Sequence, residues 1–439
     1  MKKQVVFAYL FFASVSAGLA QTKTLGLEEA VQLGVQNSRQ LKLSQSITEL
    51  ALTQVEQAKD AALPSAKVSA GYSHALMLNR TLGLFSSDPS KPLKLPFDNT
   101  LYQVTAGITE PIIAGHQFRY ARQSADLLLK MSKLDVELDR DEVVYNIISA
   151  YINLYKIVQN QKILSQNLQD IENKLDEITK YEAQGLATRN DVLRYQLQKS
   201  NTELSAIELE NNRSIANYNM NVMLGLGDST RLELQDVIYK LDMADQFKQF
   251  LNQALRDRKE FSSLQYQGQL ADLDVNKIHD QRLPTVALAG NLYYFNLSKA
   301  LIPKSGDYLA PFVVGINASW DISSLYKNKN KVAEAKVKRE QVNLQRDILS
   351  DRIKTEVNQR FTQYKQVLEK IKVLQDAIVQ ATENERIMES KFHNNLATTT
   401  DRIDAQTLLY QSRINLELAK ADATIAYYDL MKSIGHIQP

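Results

Sequence analysis

The chain has 439 residues, no cysteine, and 52 basic against 50 acidic side chains. Without cysteine there is no disulfide, thiolate metal site, thiol nucleophile or lipid-bearing cysteine. A net charge of +2 argues against a nucleic-acid partner, and the length alone allows two or three domains.

The N-terminus reads Met1-Lys2-Lys3, an apolar run from Val5 to Val15, then Gly18-Leu19-Ala20 before Gln21. This pattern predicts a secretory signal peptide over residues 1–20, cleaved after Ala20, because the run is too short for a membrane helix. Losing Lys2 and Lys3 leaves 52 minus 2, or 50, bases against 50 acids. No later run is apolar and long enough to be a membrane helix, so a mature chain that spans a membrane does so as a β-barrel.

From Leu27 to Leu63 the spacing of Ala30, Leu33, Leu41, Leu52, Val55 and Ala62 predicts one helix with a wet face, stopped by Pro64. Eight of the nine prolines fall between Pro64 and Pro111 or between Pro284 and Pro311, which confines extended structure to two windows. There the period is two. Val68, Ala70, Tyr72 and Leu76 alternate with Lys67, Ser69, Ser73 and Met77; Tyr102, Val104, Ala106 and Ile108 alternate with Gln103, Thr105 and Thr109. In the second window Phe312, Val314, Ile316, Ala318 and Trp320 alternate with smaller or polar residues, while Thr285 to Leu297 alternates poorly around Tyr293-Tyr294-Phe295. One apolar and one small-polar face fits a membrane strand with lipid outside and water inside; a soluble hairpin packed on helices is the alternative. Loops over Phe85 to Asn99 and Ser298 to Asp307 would face outward, where length is tolerated.

Long helical arms are expected from near His116 and near Leu325. His116 to Gln184 holds 69 residues without glycine or proline, about 100 Å if continuous; Ile316 to Ile434 contains neither residue as well. In the later stretch Leu374, Ile378, Ala381 and Met388 fall on heptad spacing with Glu385 as the polar member, a coiled-coil seam. The seam lapses at Lys391 to Asp401, where Asn395 can adopt a left-handed conformation and Thr398 or Asp401 can cap a new helix. A hairpin is expected, with one arm to about Phe392 and a return from about Thr398.

The same hairpin occurs 210 positions earlier: Leu396-Ala397-Thr398 becomes Leu186-Ala187-Thr188, and Asp401, Gln406, Tyr428 and Gly435 become Asp191, Gln196, Tyr218 and Gly225. The seam Leu164, Leu168, Ile171, Leu175, Ile178 keeps the register, and Gly185 stands for Asn395, as a positive φ requires. Upstream, Leu63-Pro64-Ser65 matches Leu283-Pro284-Thr285, and Asn37 to Leu41 matches Asp257 to Phe261. An internal duplication follows: a first structural repeat over 21–229, a connector over 230–247 beginning with a short strand, and a second repeat over 248–439. Each repeat holds a helix, two strands and a long helical hairpin.

Enzyme signatures do not appear. His74, His116, His279, His393 and His436 are scattered, with no metal-binding spacing, phosphate loop or nucleophile elbow. His393, near a turn, reads as a surface residue.

The duplicated Ala62-Leu-Pro-Ser65 and Arg282-Leu-Pro-Thr285, the opening Leu25-Gly-Leu-Glu-Glu-Ala30, the turn from Tyr181 to Leu193, and the arm ends Leu224-Gly225 and Ile434-Gly435 resemble the TolC-type outer-membrane efflux proteins. The resemblance covers the mature chain. It implies a mainly α fold with a membrane β-barrel contribution: a homotrimer in which each chain gives four strands to a twelve-stranded barrel and its helices to a coiled-coil periplasmic tunnel. It also implies an outer-membrane exit duct, not an enzyme and without cofactors, that docks on a periplasmic adaptor bound to an inner-membrane pump of RND or ABC type, in efflux or type I secretion. The docking tips would be Gly185, Leu186, Thr188, Asn395, Leu396 and Thr398.

The family's acidic constriction maps onto Asp401 and Asp404, with Asp191 on the first hairpin as a possible partner. The other reading of Asp401 is a helix-start aspartate favoured by the dipole. Where some members carry an Arg and a Tyr that latch neighbouring hairpins, this chain has Ala397 and Phe392, so closure must use other residues, with Arg189 and Arg402 as candidates. The competing function is a periplasmic coiled-coil scaffold that never enters a membrane; a stand-alone porin would spend its length on strands rather than helix.

Overall fold

The computed structural model describes residues 22–74, 81–82, 93–94, 100–236, 246–296 and 308–438. The expected signal peptide lies outside them, as do Ser298 to Asp307, residues 237–245 of the connector, and all of Phe85 to Asn99 except Leu93 and Lys94. In chain order the elements are β1 (Thr22–Leu25), α1 (Leu27–Asn37), α2 (Arg39–Asp60), β2 (Ser65–His74), β3 (Thr81–Leu82), β4 (Leu93–Lys94), β5 (Thr100–Ile113), α3 (Gln117–Ala183) and α4 (Arg189–Leu224). They continue as β6 (Arg231–Leu234), α5 (Phe247–Asp257), α6 (Lys259–Asp280), β7 (Thr285–Asn296), β8 (Tyr308–Leu309), β9 (Phe312–Ser319), α7 (Ser324–His393) and α8 (Thr399–Ser433). No helix among the described residues is long and apolar enough to cross a membrane.

One expectation needs correction. Leu27 to Leu63 is not one helix but two, broken at Ser38, whose ψ of 117° leaves the helical region. Ser38 then caps α2, its hydroxyl accepting from the Leu41 amide. The break recurs between α5 and α6 at Arg258 (ψ 121°), at the matching position of the second half.

Two compact units form, each drawing on both halves of the chain: Met1–Ser44 with Asp135–Lys259 and Leu349–Pro439, and Gln45–Leu134 with Glu260–Ile348. In the first, a core of Leu25, Val31, Ile147, Ile148, Tyr151, Ile152, Met220, Leu224 and Leu232 is sealed by β1 pairing in parallel with β6. The Tyr151 hydroxyl donates to the carbonyls of Leu25 and Gln235, so this buried phenol holds the strand pair against α3. The α4 terminus is closed by Gly225 in the left-handed region (φ 69°), while Asn37 donates to the Leu224 carbonyl at 2.7 Å.

The second unit carries an antiparallel sheet in the order β2-β5-β7-β9, with β8 beside the end of β7 and β3 paired with β4 apart from it. Register settles the irregular third strand. Tyr72 pairs with Tyr102, Val104 with Tyr294, Ala106 with Leu292 and Leu292 with Phe312, so these side chains share one face with Val68, Val314 and Ile316. Tyr293 falls on the other face, with Ser69, Thr105, Asn291 and Asn317. The apolar face is bare: Val68, Phe312, Val314 and Ile316 are 74%, 69%, 61% and 69% exposed. Such a face in water would cost about 1.5 to 3 kcal/mol for each large side chain left unburied. The outer edges of β2 and β9 have no partner strand among the described residues.

Candidate functional site: the paired hairpin tips

Two turns, 210 residues apart, are built alike. After α3 the amide of Leu186 donates to the Tyr181 carbonyl and that of Gly185 to Glu182; after α7 the amide of Leu396 donates to Lys391 and that of Asn395 to Phe392. This double closure needs a left-handed residue, and Gly185 (φ 75°) and Asn395 (φ 57°) supply it, as the sequence predicts. Each return helix then starts with a capping box. Thr188 accepts from the Asp191 amide while the Asp191 carboxylate accepts from the Thr188 amide and hydroxyl, and Thr398 and Asp401 repeat the arrangement.

The caps give Asp191 and Asp401 local work. Burial opposes the Asp191 charge, but hydrogen bonds from Thr188 and Thr399 outweigh it and hold its carboxyl below the usual aspartate range. Asp401 is held low by the hydroxyl and amide of Thr398. Asp404 is exposed one turn further on and makes no ion pair among the described residues. Leu186 and Leu396, at the summits of the turns, are 67% and 76% exposed.

The hairpins are joined below these summits. Ile171, Ile178, Val192 and Tyr195 form a small core against Leu175, Tyr181, Ala187, Phe392 and Ile403, and Tyr181 stacks on Phe392 at 6.5 Å between ring centres. Into this contact α8 sends Arg402, only 2% exposed. Its guanidinium donates to Glu177 of α3 at 2.6 Å and to Glu389 of α7 at 2.7 Å, and lies 4.7 Å from the centre of the Phe392 ring. Lys174 continues the network to Glu385 (2.8 Å) and Glu389 (3.3 Å), and His393 lies within 3.8 Å of Glu177 and 3.3 Å of Glu389. Burial works against the Arg402 charge, but Glu389, Tyr195 and Glu177 overcome it and hold the guanidinium above its ordinary range. Burial likewise opposes the Glu389 charge, and Arg402 and Lys174 reverse that, leaving its carboxyl below the glutamate range.

The structure thus brings Leu186 and Asp191 together with Asn395 and Thr398 around one cleft, lined also by Tyr181, Phe392 and His393, while Gly185, Thr188, Leu396 and Asp401 belong to the turns and caps beside it. Of the two candidate latch residues, Arg402 joins hairpins of the same chain, whereas Arg189, among the described residues, pairs with Glu182 of its own hairpin, at 3.7 Å. Lys174, Glu177 and Glu389 were not expected. The one available signal was Glu385, a charge inside an apolar seam, which here meets Lys174.

Residues 250–436 match the outer membrane efflux protein family. No curated protein matches the sequence, but solved structures share the fold over almost its whole length. The outer membrane protein VceC of Vibrio cholerae is 16% identical over 93% of this chain and 96% of that one, with a TM-score of 0.73. For the CmeC outer membrane channel of Campylobacter jejuni the figures are 15%, 93%, 85% and 0.71. For the MtrE outer membrane channel of Neisseria gonorrhoeae, solved in its open state, they are 14%, 93%, 89% and 0.70. The fold of long helices and a short-stranded sheet is therefore that of the outer-membrane channels. The family match over residues 250–436 agrees with that fold.

Proposed function

We propose that the protein is the passive outer-membrane exit duct of a tripartite efflux or type I secretion system. Three chains would pool their strands into a twelve-stranded barrel, and the hairpin tips would dock on a periplasmic adaptor bound to an inner-membrane pump of RND or ABC type. The observation that carries the reading is the four-stranded sheet with one bare apolar face and two open edges. In lipid such edges need partners, which further copies of the same chain provide. A periplasmic scaffold gives no reason to expose that face to water.

The tips support the docking half. Leu186 and Leu396 project from equivalent turns at the summits of well-capped helices, and covering each on docking would contribute about 1.5 to 3 kcal/mol. Replacing both by aspartate leaves the turns and caps intact, so the assembled channel should survive while export is lost. Full export by the Leu186→Asp, Leu396→Asp variant would remove tip docking from the proposal.

Asp404 and Asp401 complete the reading as an acidic constriction, with Asp191 nearby on the first hairpin. In three copies Asp404 would ring a narrow throat in which low-dielectric walls focus the field on cations. Asp401 joins the ring only with the carboxylate oxygens that its cap leaves free.

A further inference from the structure

We propose that the collar from Trp320 to Lys331, where the sheet hands over to α7, is a binding surface for anionic phospholipid headgroups of the periplasmic leaflet. The inference rests on the strands being the membrane segment and is independent of what docks at the tips.

Three observations meet there. First, large apolar side chains are exposed at or just beyond the helix-side ends of the strands: Ile113 at the end of β5, Leu283 before β7, and Trp320, Ile322 and Tyr326 after β9, between 44% and 69% exposed. They continue the apolar face of the sheet by about one turn, which is where amphipathic aromatics sit at a bilayer edge. Trp320 is fixed there, its indole N–H donating to the Arg282 carbonyl at 2.9 Å.

Second, the charge changes abruptly at this level. From Tyr326 to Arg339 there are six bases and one acid, in a chain that balances to +2 over its whole length. The outer three are already engaged or distant: Lys338 pairs with Glu334, Arg339 with Asp272, and Lys336 lies more than three turns into the helix. Lys327, Lys329 and Lys331 fall in the first two turns, about 4 to 11 Å along the axis from Ser324. That is the depth of the headgroup layer below a hydrocarbon edge at Trp320. All three are exposed, and Lys329 and Lys331 make no ion pair among the described residues.

Third, what α7 buries at this level is a narrow stripe between the lysines. Asn328, Val332 and Ala335 are turned in, Asn328 donating to the Ile278 carbonyl of α6. The lysines flank that buried stripe and are not recruited to hold the helix pair. Three ammonium groups beside exposed indole and phenol rings suit a phosphodiester with acyl chains above it, each cation near an anionic surface strengthening the interaction roughly fivefold.

The test uses the full chain, purified as its detergent-solubilised assembly and titrated with dioctanoyl phosphatidylglycerol, dioctanoyl phosphatidylcholine and inorganic phosphate, with bound lipid counted by native mass spectrometry. The expected result is retention of phosphatidylglycerol over phosphatidylcholine by at least tenfold, weakened by salt. The Lys327→Gln, Lys329→Gln, Lys331→Gln variant should lose that preference, and the corresponding triple arginine variant should keep it, both with unchanged assembly. Equal retention of the two lipids, a preference surviving the glutamine variant, or competition by phosphate alone at equal concentration would overturn the proposal. Loss of oligomer in the glutamine variant would also overturn it, by showing that the collar meets a neighbouring copy of the chain. A scaffold that never enters a membrane would bind neither lipid and yield no detergent-stable assembly, an outcome distinct from all of these.

Discussion

Replacing Arg402 by methionine removes the buried guanidinium that donates to carboxylates on both α3 and α7 at the tip, leaving the half-exposed His393 beside them. The replacement keeps the aliphatic volume but leaves Glu177 and Glu389, 26% and 29% exposed, facing each other across the hairpin contact. Breaking a fully buried pair costs about 3 to 5 kcal/mol. Here the carboxylates are partly wet, and Lys174 stays within 3.3 Å of Glu389, so about 2 to 3 kcal/mol is the reasonable figure after screening. Because the loss is local, it should appear as easier opening of the tip rather than as global unfolding. Amide exchange over Ile171–Tyr195 and Phe392–Leu409 should accelerate about 30- to 150-fold, while α2 and α6 exchange as before. A double-mutant cycle with Glu177→Gln isolates the ion pair. Unchanged exchange at the tip, or a cycle energy near zero, would show that the small apolar core around Ile178 and Tyr195 holds the hairpins together without the guanidinium. The same network sets a pH dependence. The folded-state carboxyl of Glu389 lies below its ordinary value, so its contribution is complete above the usual glutamate range and is lost as the pH falls through the depressed value. The tip should loosen in acid, and less so in Glu389→Gln.

Other outcomes follow from the same geometry. At Gly185 no atom lies within 4 Å of the place a Cβ would occupy, so substitution tests the backbone alone: Gly185→Asn should be nearly neutral, as Asn395 implies, whereas Gly185→Val should cost about 1 to 2 kcal/mol, read by thermal unfolding. Val314→Arg puts a charge on the apolar face at a cost of about 2 to 4 kcal/mol near the bilayer midplane; membrane fractionation should find no assembled channel, and normal assembly would contradict the assignment of that face. Asp401→Asn with Asp404→Asn should weaken cation preference and block by multivalent cations in planar-bilayer recordings, with Asp404→Asn carrying most of the change because Asp401 is committed to its cap. An unchanged reversal potential would place the constriction elsewhere.

The features written locally were legible in the sequence. A positive φ at Gly185 and Asn395, a threonine cap three residues before an aspartate, and a two-residue period in Val68 to Tyr72 or Phe312 to Ala318 each depend on neighbours a few positions away. The duplication then carried each reading from one half to the other. What escaped depends on residues brought together from far along the chain. Arg402 and Glu177 are 225 positions apart, and nothing near Arg402 says whether its face of α8 meets water or another helix. The break at Arg258 lacks the glycine or proline that punctuates a helix; its guanidinium donates to the Ser433 carbonyl and to Glu356, contacts that exist only once α7 and α8 have returned. The parallel pairing of β1 with β6 joins segments more than 200 residues apart, and four residues are too short for their alternation to announce a strand. Even the irregular third strand was resolved only by its partners, because Tyr293, Tyr294 and Phe295 are all apolar enough for either face. Local conformation is chosen by the backbone and the nearest side chains. The choice of which surfaces meet is made by the burial of charge and apolar area in the assembled fold, and there the tertiary structure alone decided.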